Sequence, residues 1–72
     1  MSDISFRFPE VVRQLRKARG WSQEELAERA DLNRSYVGEI ERGLAVPSLV
    51  TLDKLALGLE VSASALLARC EP

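Results

Sequence analysis

Histidine is absent from this 72-residue chain, and cysteine occurs once, at Cys70. Without histidine the commonest general base is missing, and a zinc site lacks the clustered Cys or His ligands that it needs. A disulfide framework would require an even set of cysteines. We interpret Cys70 as incidental, since no activating base stands beside it. The composition therefore predicts a protein that is not an enzyme and that holds no metal and no cofactor.

Long apolar runs are also lacking. No stretch approaches the roughly 18 residues of a membrane span, and residues 1–8 have neither the basic flank nor the apolar core of a signal peptide. With 46% hydrophobic and 29% charged residues, the chain suits one small globular domain. We therefore expect a single domain over residues 1–72, a flexible arm over residues 1–8 and a cytoplasmic location. A membrane or a small-molecule ligand is not expected as a partner.

Basic charge is not in excess, because the chain has ten Lys and Arg residues and eleven Asp and Glu residues, for a net charge of −1. Most of these charges precede Gly43, and the remainder of the chain is largely aliphatic. Nucleic-acid-binding proteins usually carry surplus basic charge. If this chain binds DNA, its basic residues must therefore gather on one face.

Caps and apolar spacing predict five short helices, and no segment alternates like a strand. The best-marked start is the capping box of Ser22 and Glu25. In chain order, the predicted helices span residues 9–19, 23–30 and 34–42, then a fourth that Pro47 and Ser48 introduce and Gly58 closes, and a fifth that Ser62 opens.

The second and third predicted helices are joined by a turn too short for antiparallel packing, so they must cross steeply as a helix-turn-helix. Ala27 is small where the two backbones approach, and Leu32 fills the turn. Asp31 tolerates a left-handed backbone at that turn. Val37 and Ile40 are expected to anchor the third helix to the core.

The run GWSQEELAERADLNRSYVGEIERG resembles the phage-repressor-like helix-turn-helix family and is most similar to the controller proteins of restriction–modification systems. The likeness extends through the leucine-rich fourth helix to cover nearly the whole chain. It implies an all-α, five-helix, lambda-repressor-like DNA-binding domain whose third helix lies in the major groove. It also implies a structural ion pair between Arg16 and Glu41. Asp31, where many members carry glycine, changes the cost of the turn but not its geometry.

Helical spacing places the polar side chains of the third helix roughly opposite Val37 and Ile40. Arg34 suits guanine, because a guanidinium pairs with both O6 and N7. Ser35 can donate or accept a hydrogen bond. Tyr36 can reach a base edge, a thymine methyl group or a phosphate. We predict these three residues, with Glu39, as the base-reading residues.

Two residues of this helix have open interpretations, and three more are predicted to contact the DNA backbone. Glu39 either accepts from a cytosine amino group or forms an ion pair with a neighbouring arginine. Gly38 either admits DNA closely or is a tolerated defect. Family members place a phosphate contact at the position of Gln23, where first-turn amides also favour an anion. Asn33 and Arg42 are the other predicted backbone contacts.

The fourth and fifth helices carry more large aliphatic side chains than one small core can bury. Exposed apolar surplus usually marks an association site, and family members dimerise through this region. A two-fold dimer would place two recognition helices about 34 Å apart on a palindromic site. The side chains concerned are Val46, Leu49, Val50, Leu52, Leu55, Leu57, Leu59, Val61, Leu66 and Leu67.

The sequence thus predicts a homodimeric, sequence-specific regulator of transcription that binds double-stranded DNA, with RNA polymerase as a further partner that such a role allows. The controller resemblance implies regulation of its own promoter and of a linked restriction gene. Two alternatives stay open at this point. One is a phage-type repressor or antitoxin-like regulator, and the other is a protein-interaction module that bridges transcription factors. The polar surface at Arg34, Ser35 and Tyr36 favours DNA reading over the second alternative.

Overall fold

Side-chain caps begin four of the five helices in the computed structural model, which describes residues 4–71. Ser22, Ser48 and Ser62 each accept a hydrogen bond from the backbone N–H three residues later, at 3.0, 3.1 and 3.0 Å. Asn33 accepts from the backbone N–H of Ser35 at 2.7 Å. Residues 4–71 contain no strand, so the all-α prediction is confirmed. The helices are α1 (Ile4–Ala18), α2 (Gln23–Arg29), α3 (Arg34–Glu41), α4 (Leu49–Leu59) and α5 (Ala63–Cys70).

The first helix begins five residues earlier than predicted and contains Pro9 in its interior. Ile4 and Phe8 are spaced to continue the apolar stripe of Val11 and Leu15, and Phe8 is buried. Their packing against the core offsets the hydrogen bond that a proline inside a helix removes. The prediction of a flexible arm is therefore wrong for residues 4–8. Residues 1–3 lie outside the part of the chain that the structure describes.

Apolar side chains from all five helices form one core. Val37 and Ile40 are fully buried and anchor α3 as predicted, and Ala27 is buried on α2. Cys70 is also fully buried, and its thiol donates to the carbonyl of Leu66 at 3.4 Å. Burial raises the pKa of the Cys70 thiol. Cys70 is thus a core residue rather than an incidental one.

The turn between α2 and α3 has the predicted geometry. Asp31 adopts a left-handed backbone with φ 56°, and the carboxylate of Asp31 lies 3.8 Å from the ammonium of Lys54 on α4. Leu32 is half-buried against the core, and its backbone N–H donates to the carbonyl of Ala27 at 2.8 Å. The side chain that fills the turn therefore fixes how α3 leaves α2.

Gly58 lies inside α4, although the sequence suggested that it ends this helix. The helix continues to Leu59, and Glu60 caps it in the left-handed conformation with φ 64°. A Cβ atom on Gly58 would lie 3.0 Å from the N, Cα and Cβ atoms of Ala30. The missing side chain therefore serves the close approach of α4 to the end of α2, not a helix cap.

Gly58→Ala should lower the free energy of unfolding by about 1–3 kcal/mol, because the backbone of Ala30 cannot give way without moving α2. This loss should prevail over the roughly 1 kcal/mol that alanine gains in helix propensity. Gly38→Ala is the matched control, since its new methyl group would meet only the flexible ends of Arg42 and Gln23, at 3.1 and 3.4 Å. Thermal melting compares the stability of the two variants with that of wild type. A Gly58→Ala protein as stable as wild type would contradict this packing argument.

Candidate nucleic-acid interface

A buried ion pair between Arg16 and Glu41 fixes α1 against α3. The Nε and Nη2 atoms of Arg16 donate to Oε2 and Oε1 of Glu41 at 2.7 and 2.9 Å. The Nη1 atom of Arg16 donates to the carbonyl of Trp21 at 2.8 Å. The hydrogen bond to Glu41 raises the pKa of Arg16 further above its ordinary value. This is the ion pair that the family resemblance implied, and it also holds the entry to α2.

Gln23, the first residue of α2, joins this buried network. Its Nε2 atom donates to Oε1 of Glu41 at 3.1 Å. An amide nitrogen has two hydrogens, and within residues 4–71 the second has no acceptor. Gln23 is therefore held at the surface with one N–H group that can donate a hydrogen bond to a phosphate oxygen.

A shallow polar depression runs along the exposed side of α3, and we call it the α3 depression. Five of the seven predicted site residues lie together in it, joined by Gly38, which has no side chain. The lining residues are Gln23, Arg34, Ser35, Gly38, Glu39 and Arg42. The structure therefore brings base-competent and phosphate-competent side chains onto one surface.

The charged side chains of the α3 depression form no ion pair within the part of the chain that the structure describes. Arg34, Glu39 and Arg42 are exposed and have no ion-pair partner among residues 4–71. The expected alternative of an ion pair between Glu39 and a neighbouring arginine is therefore wrong. By contrast, Arg19 and Arg29 are each bonded to a glutamate at 2.7 Å. Two guanidinium groups and one carboxylate leave this surface with an excess of positive charge.

Gly38 lies beneath the guanidinium group of Arg42. A Cβ atom there would lie 3.1 Å from Nη1 of Arg42 and 3.4 Å from Oε1 of Gln23. The absence of a side chain therefore lets Arg42 fold across α3 toward Gln23. This brings together two residues that the sequence predicted as separate contacts to the DNA backbone.

Tyr36 and Asn33 lie outside the α3 depression. Tyr36 is half-buried against the core, and its hydroxyl donates to Oγ1 of Thr51 at 3.4 Å. Its ring thus faces the start of α4 rather than the surface shared by Arg34 and Ser35. The side-chain oxygen of Asn33 is occupied as the cap of α3, which leaves its amino group toward solvent.

Sequence reasoning missed two features of the structure. The bond from Gln23 to Glu41 joins residues 18 positions apart and has no local signal. An apolar groove beside α1 was missed because residues 4–8 were expected to be flexible. The spacing of Ile4 and Phe8 was the signal that could have revealed it.

The helix-turn-helix family model HTH_3 matches residues 12–66 of this chain. The match contains α2, α3 and α4 in full, the second half of α1 from Val12 onward and the first turn of α5. The chain belongs to the helix-turn-helix family. The matched relatives of this family member are transcription regulators, which confirms the prediction that the chain is not an enzyme. None of the helices within residues 4–71 has the length and apolar character required to cross a bilayer.

Restriction–modification controller proteins are among the relatives of this helix-turn-helix protein. Control protein C.MunI of Mycoplasma sp. is 40% identical over 72 residues, covering 99% of this chain and 97% of that protein. The crystal structure of the controller protein C.AhdI from Aeromonas hydrophila is 47% identical with a TM-score of 0.80, covering 83% of this chain and 91% of that one. The biofilm regulator SinR, solved in complex with DNA, is 41% identical with a TM-score of 0.77. The alignment covers 83% of this chain and 97% of that one. These likenesses confirm the five-helix fold and the resemblance stated from the sequence.

Proposed function

We propose that this protein is a transcription regulator of the restriction–modification controller type, which reads a palindromic operator in double-stranded DNA as a homodimer. The observation that carries the proposal is the α3 depression, where Arg34 and Arg42, which have no ion-pair partner among residues 4–71, flank Ser35 and Glu39 on the exposed side of α3. The likeness to C.MunI over nearly its full length supports the controller type. The structure of SinR in complex with DNA supports DNA as the ligand of this protein.

Each side chain of the depression has a role in this proposal. Arg34 pairs with guanine, and Glu39 accepts from a cytosine amino group. Ser35 bonds to either kind of base edge. Gln23 and Arg42 contact phosphates, which set the position of α3 in the groove but do not read sequence.

Two other predicted residues act at the margins of this surface. Asn33 presents its amino group to the DNA backbone while its oxygen caps α3. Tyr36 supports the start of α4 through Thr51 instead of reading a base. The regulator acts in the cytoplasm, at its own promoter and that of a linked restriction gene, where RNA polymerase is its second partner.

Affinity for a palindromic duplex should fall steeply with salt, although the protein carries a net charge of −1. We expect roughly three to five phosphates neutralised per monomer, so the slope of log affinity against log salt should be about −3 to −4.5 per monomer and about twice that for the dimer. Arg42→Gln should reduce the slope by about one per monomer and weaken all sequences alike. Fluorescence anisotropy over a range of KCl concentrations measures both.

Arg69→Gln is the matched control for this experiment, because Arg69 is exposed on α5 and lies outside the α3 depression. Its slope should equal that of the wild-type protein. A salt response that is flat for wild type would contradict DNA binding through Arg34 and Arg42, and would favour the protein-interaction alternative.

A further inference from the structure

Glu41 accepts one hydrogen bond more than its ion pair with Arg16 requires. Its Oε2 atom accepts from Nε of Arg16 at 2.7 Å. Its Oε1 atom accepts twice, from Nη2 of Arg16 at 2.9 Å and from Nε2 of Gln23 at 3.1 Å. The side chain of Glu41 is only 2% exposed. One buried carboxylate on α3 thus holds side chains of α1 and α2 at the same time.

This carboxylate decides which way the amide of Gln23 faces. An ionised carboxylate only accepts hydrogen bonds, so Gln23 must turn its nitrogen, and not its oxygen, toward Glu41. The Oε1 atom of Gln23 lies on the other side, 3.4 Å from the point that a Cβ atom on Gly38 would occupy. Beside an apolar side chain, neither orientation of the amide would be preferred over the other.

We propose that Glu41 is a positioning residue for DNA binding, which orients the amide of Gln23 so that its second N–H group donates to a phosphate. Glu41 acts from the interior and touches no DNA itself. This role rests on the proposed function, since it requires that Gln23 contacts DNA. It gives the buried pair of Arg16 and Glu41 a task beyond holding α1 to α3.

Stability alone does not account for an ionised pair at this place. Replacing a buried ion pair by apolar residues of similar volume is often neutral or stabilising, because desolvation offsets the attraction between the charges. An apolar pair would also join α1 to α3, but it would offer Gln23 no acceptor. The carboxylate of Glu41 does both.

The bond to Gln23 also ties the phosphate contact to the base-reading residues. Gln23 is the first residue of α2, and Glu41 is the last residue of α3, the helix that carries Arg34 and Ser35. Phosphate contacts fix the register of a protein on the duplex. A donor that α3 itself holds keeps this register constant relative to the side chains that read bases.

A double-mutant cycle tests this role, with the duplex that wild type selects from a random pool as the probe. In wild type, Gln23→Ala should weaken binding roughly 3- to 10-fold per half-site, as expected for one lost hydrogen bond. The combination Arg16→Met with Glu41→Leu, which we call the apolar-pair variant, removes both buried charges and should stay folded. In the apolar-pair variant, Gln23→Ala should change affinity by less than about twofold. Anisotropy titrations measure the affinities, and circular dichroism melting confirms folding.

Glu41→Gln provides a second background that does not depend on the apolar-pair variant. Its amide keeps one acceptor oxygen for Arg16 but loses the negative charge that fixes the orientation of Gln23. The effect of Gln23→Ala should fall to about twofold or less there as well. Gly58→Ala is the matched control, because its methyl group meets Ala30 and lowers stability without touching Gln23. In that background Gln23→Ala should keep its full effect.

Neutral methylphosphonates, placed at each phosphate of the duplex in turn, separate positioning from a purely structural role. At one phosphate in each half-site, the replacement should weaken wild type and leave Gln23→Ala and the apolar-pair variant unaffected. At every other phosphate, both variants should respond as wild type does.

Equal losses from Gln23→Ala in all backgrounds, or no loss in wild type, would overturn the positioning role and leave the proposed function intact. An apolar-pair variant that keeps the wild-type response at every phosphate, or loses it uniformly, would overturn the role in the same way. The proposed function fails separately, when wild type selects no duplex at all, and the positioning role then fails with it.

Discussion

Glu41→Ala should lower the free energy of unfolding by about 3–5 kcal/mol, because it leaves the buried guanidinium of Arg16 without its partner. The side chains of Arg16 and Glu41 are only 11% and 2% exposed, so water cannot replace the lost bonds. A domain of 72 residues has about 4–11 kcal/mol of stability in total. The variant should therefore be close to unfolding at moderate temperature, and urea titration measures the loss.

The exposed ion pair of Arg13 and Glu10 provides the control, since it is on the same helix at 3.8 Å with both side chains about half exposed. Glu10→Ala should change stability by about 0.5 kcal/mol or less. The double variant Arg16→Met with Glu41→Leu should regain most of the stability, because it removes both buried charges. Equal urea midpoints for Glu41→Ala and wild type would show that the pair does not hold α1 to α3.

Local chemistry explains why α2 and α3 were predicted within one residue of their ends. Ser22 and Asn33 satisfy backbone N–H groups within three residues of themselves, so their signals are contained in short stretches of sequence. The start of α1 and the role of Gly58 depend instead on tertiary packing. Phe8 becomes buried, and Gly58 meets Ala30, only when distant helices come together.

The same distinction applies to the candidate site. The common side of Arg34, Ser35 and Arg42 follows from the helical period alone. Tyr36 lies at the edge of that side, and its direction is set by Thr51, which is 15 residues away. No local pattern predicts such a contact.

The predicted dimerisation region shows that the number of aliphatic residues in a stretch of sequence does not tell which of them are exposed. The count of large aliphatic residues from Val46 to Leu67 was correct, but it could not separate buried from exposed members. Leu55 and Leu59 are fully buried in the core, whereas Val46 and Leu49 project into solvent. The packing of α4 against α2 and α5 decides which side chains are buried and which are left exposed.

Arg34→Ala should weaken binding to the operator by about 1–3 kcal/mol and relax the preference at one base pair in each half-site. Arg34 is exposed at the start of α3 and has no partner within residues 4–71, so its guanidinium is free to pair with guanine. Stability should change by less than about 0.5 kcal/mol. Anisotropy titrations against the operator and its single-base variants measure the effect, with melting as the check on folding.

Arg42→Gln is the matched control, because Arg42 is the other free arginine of the α3 depression and is assigned to phosphate. It should weaken every duplex alike and keep all base preferences. If Arg34→Ala behaves in the same way, then Arg34 is a phosphate contact, and base reading must lie with Ser35 and Glu39.

Selection of bound duplexes from a random pool by the purified protein tests most directly whether this chain reads DNA as a two-fold dimer. We expect one half-site repeated in inverted orientation, with centres one helical turn, about 34 Å, apart. The same selection with Arg34→Ala should recover that spacing and lose one preferred base pair in each half-site. A pool without enrichment, or a single half-site without its inverted repeat, would contradict the proposal.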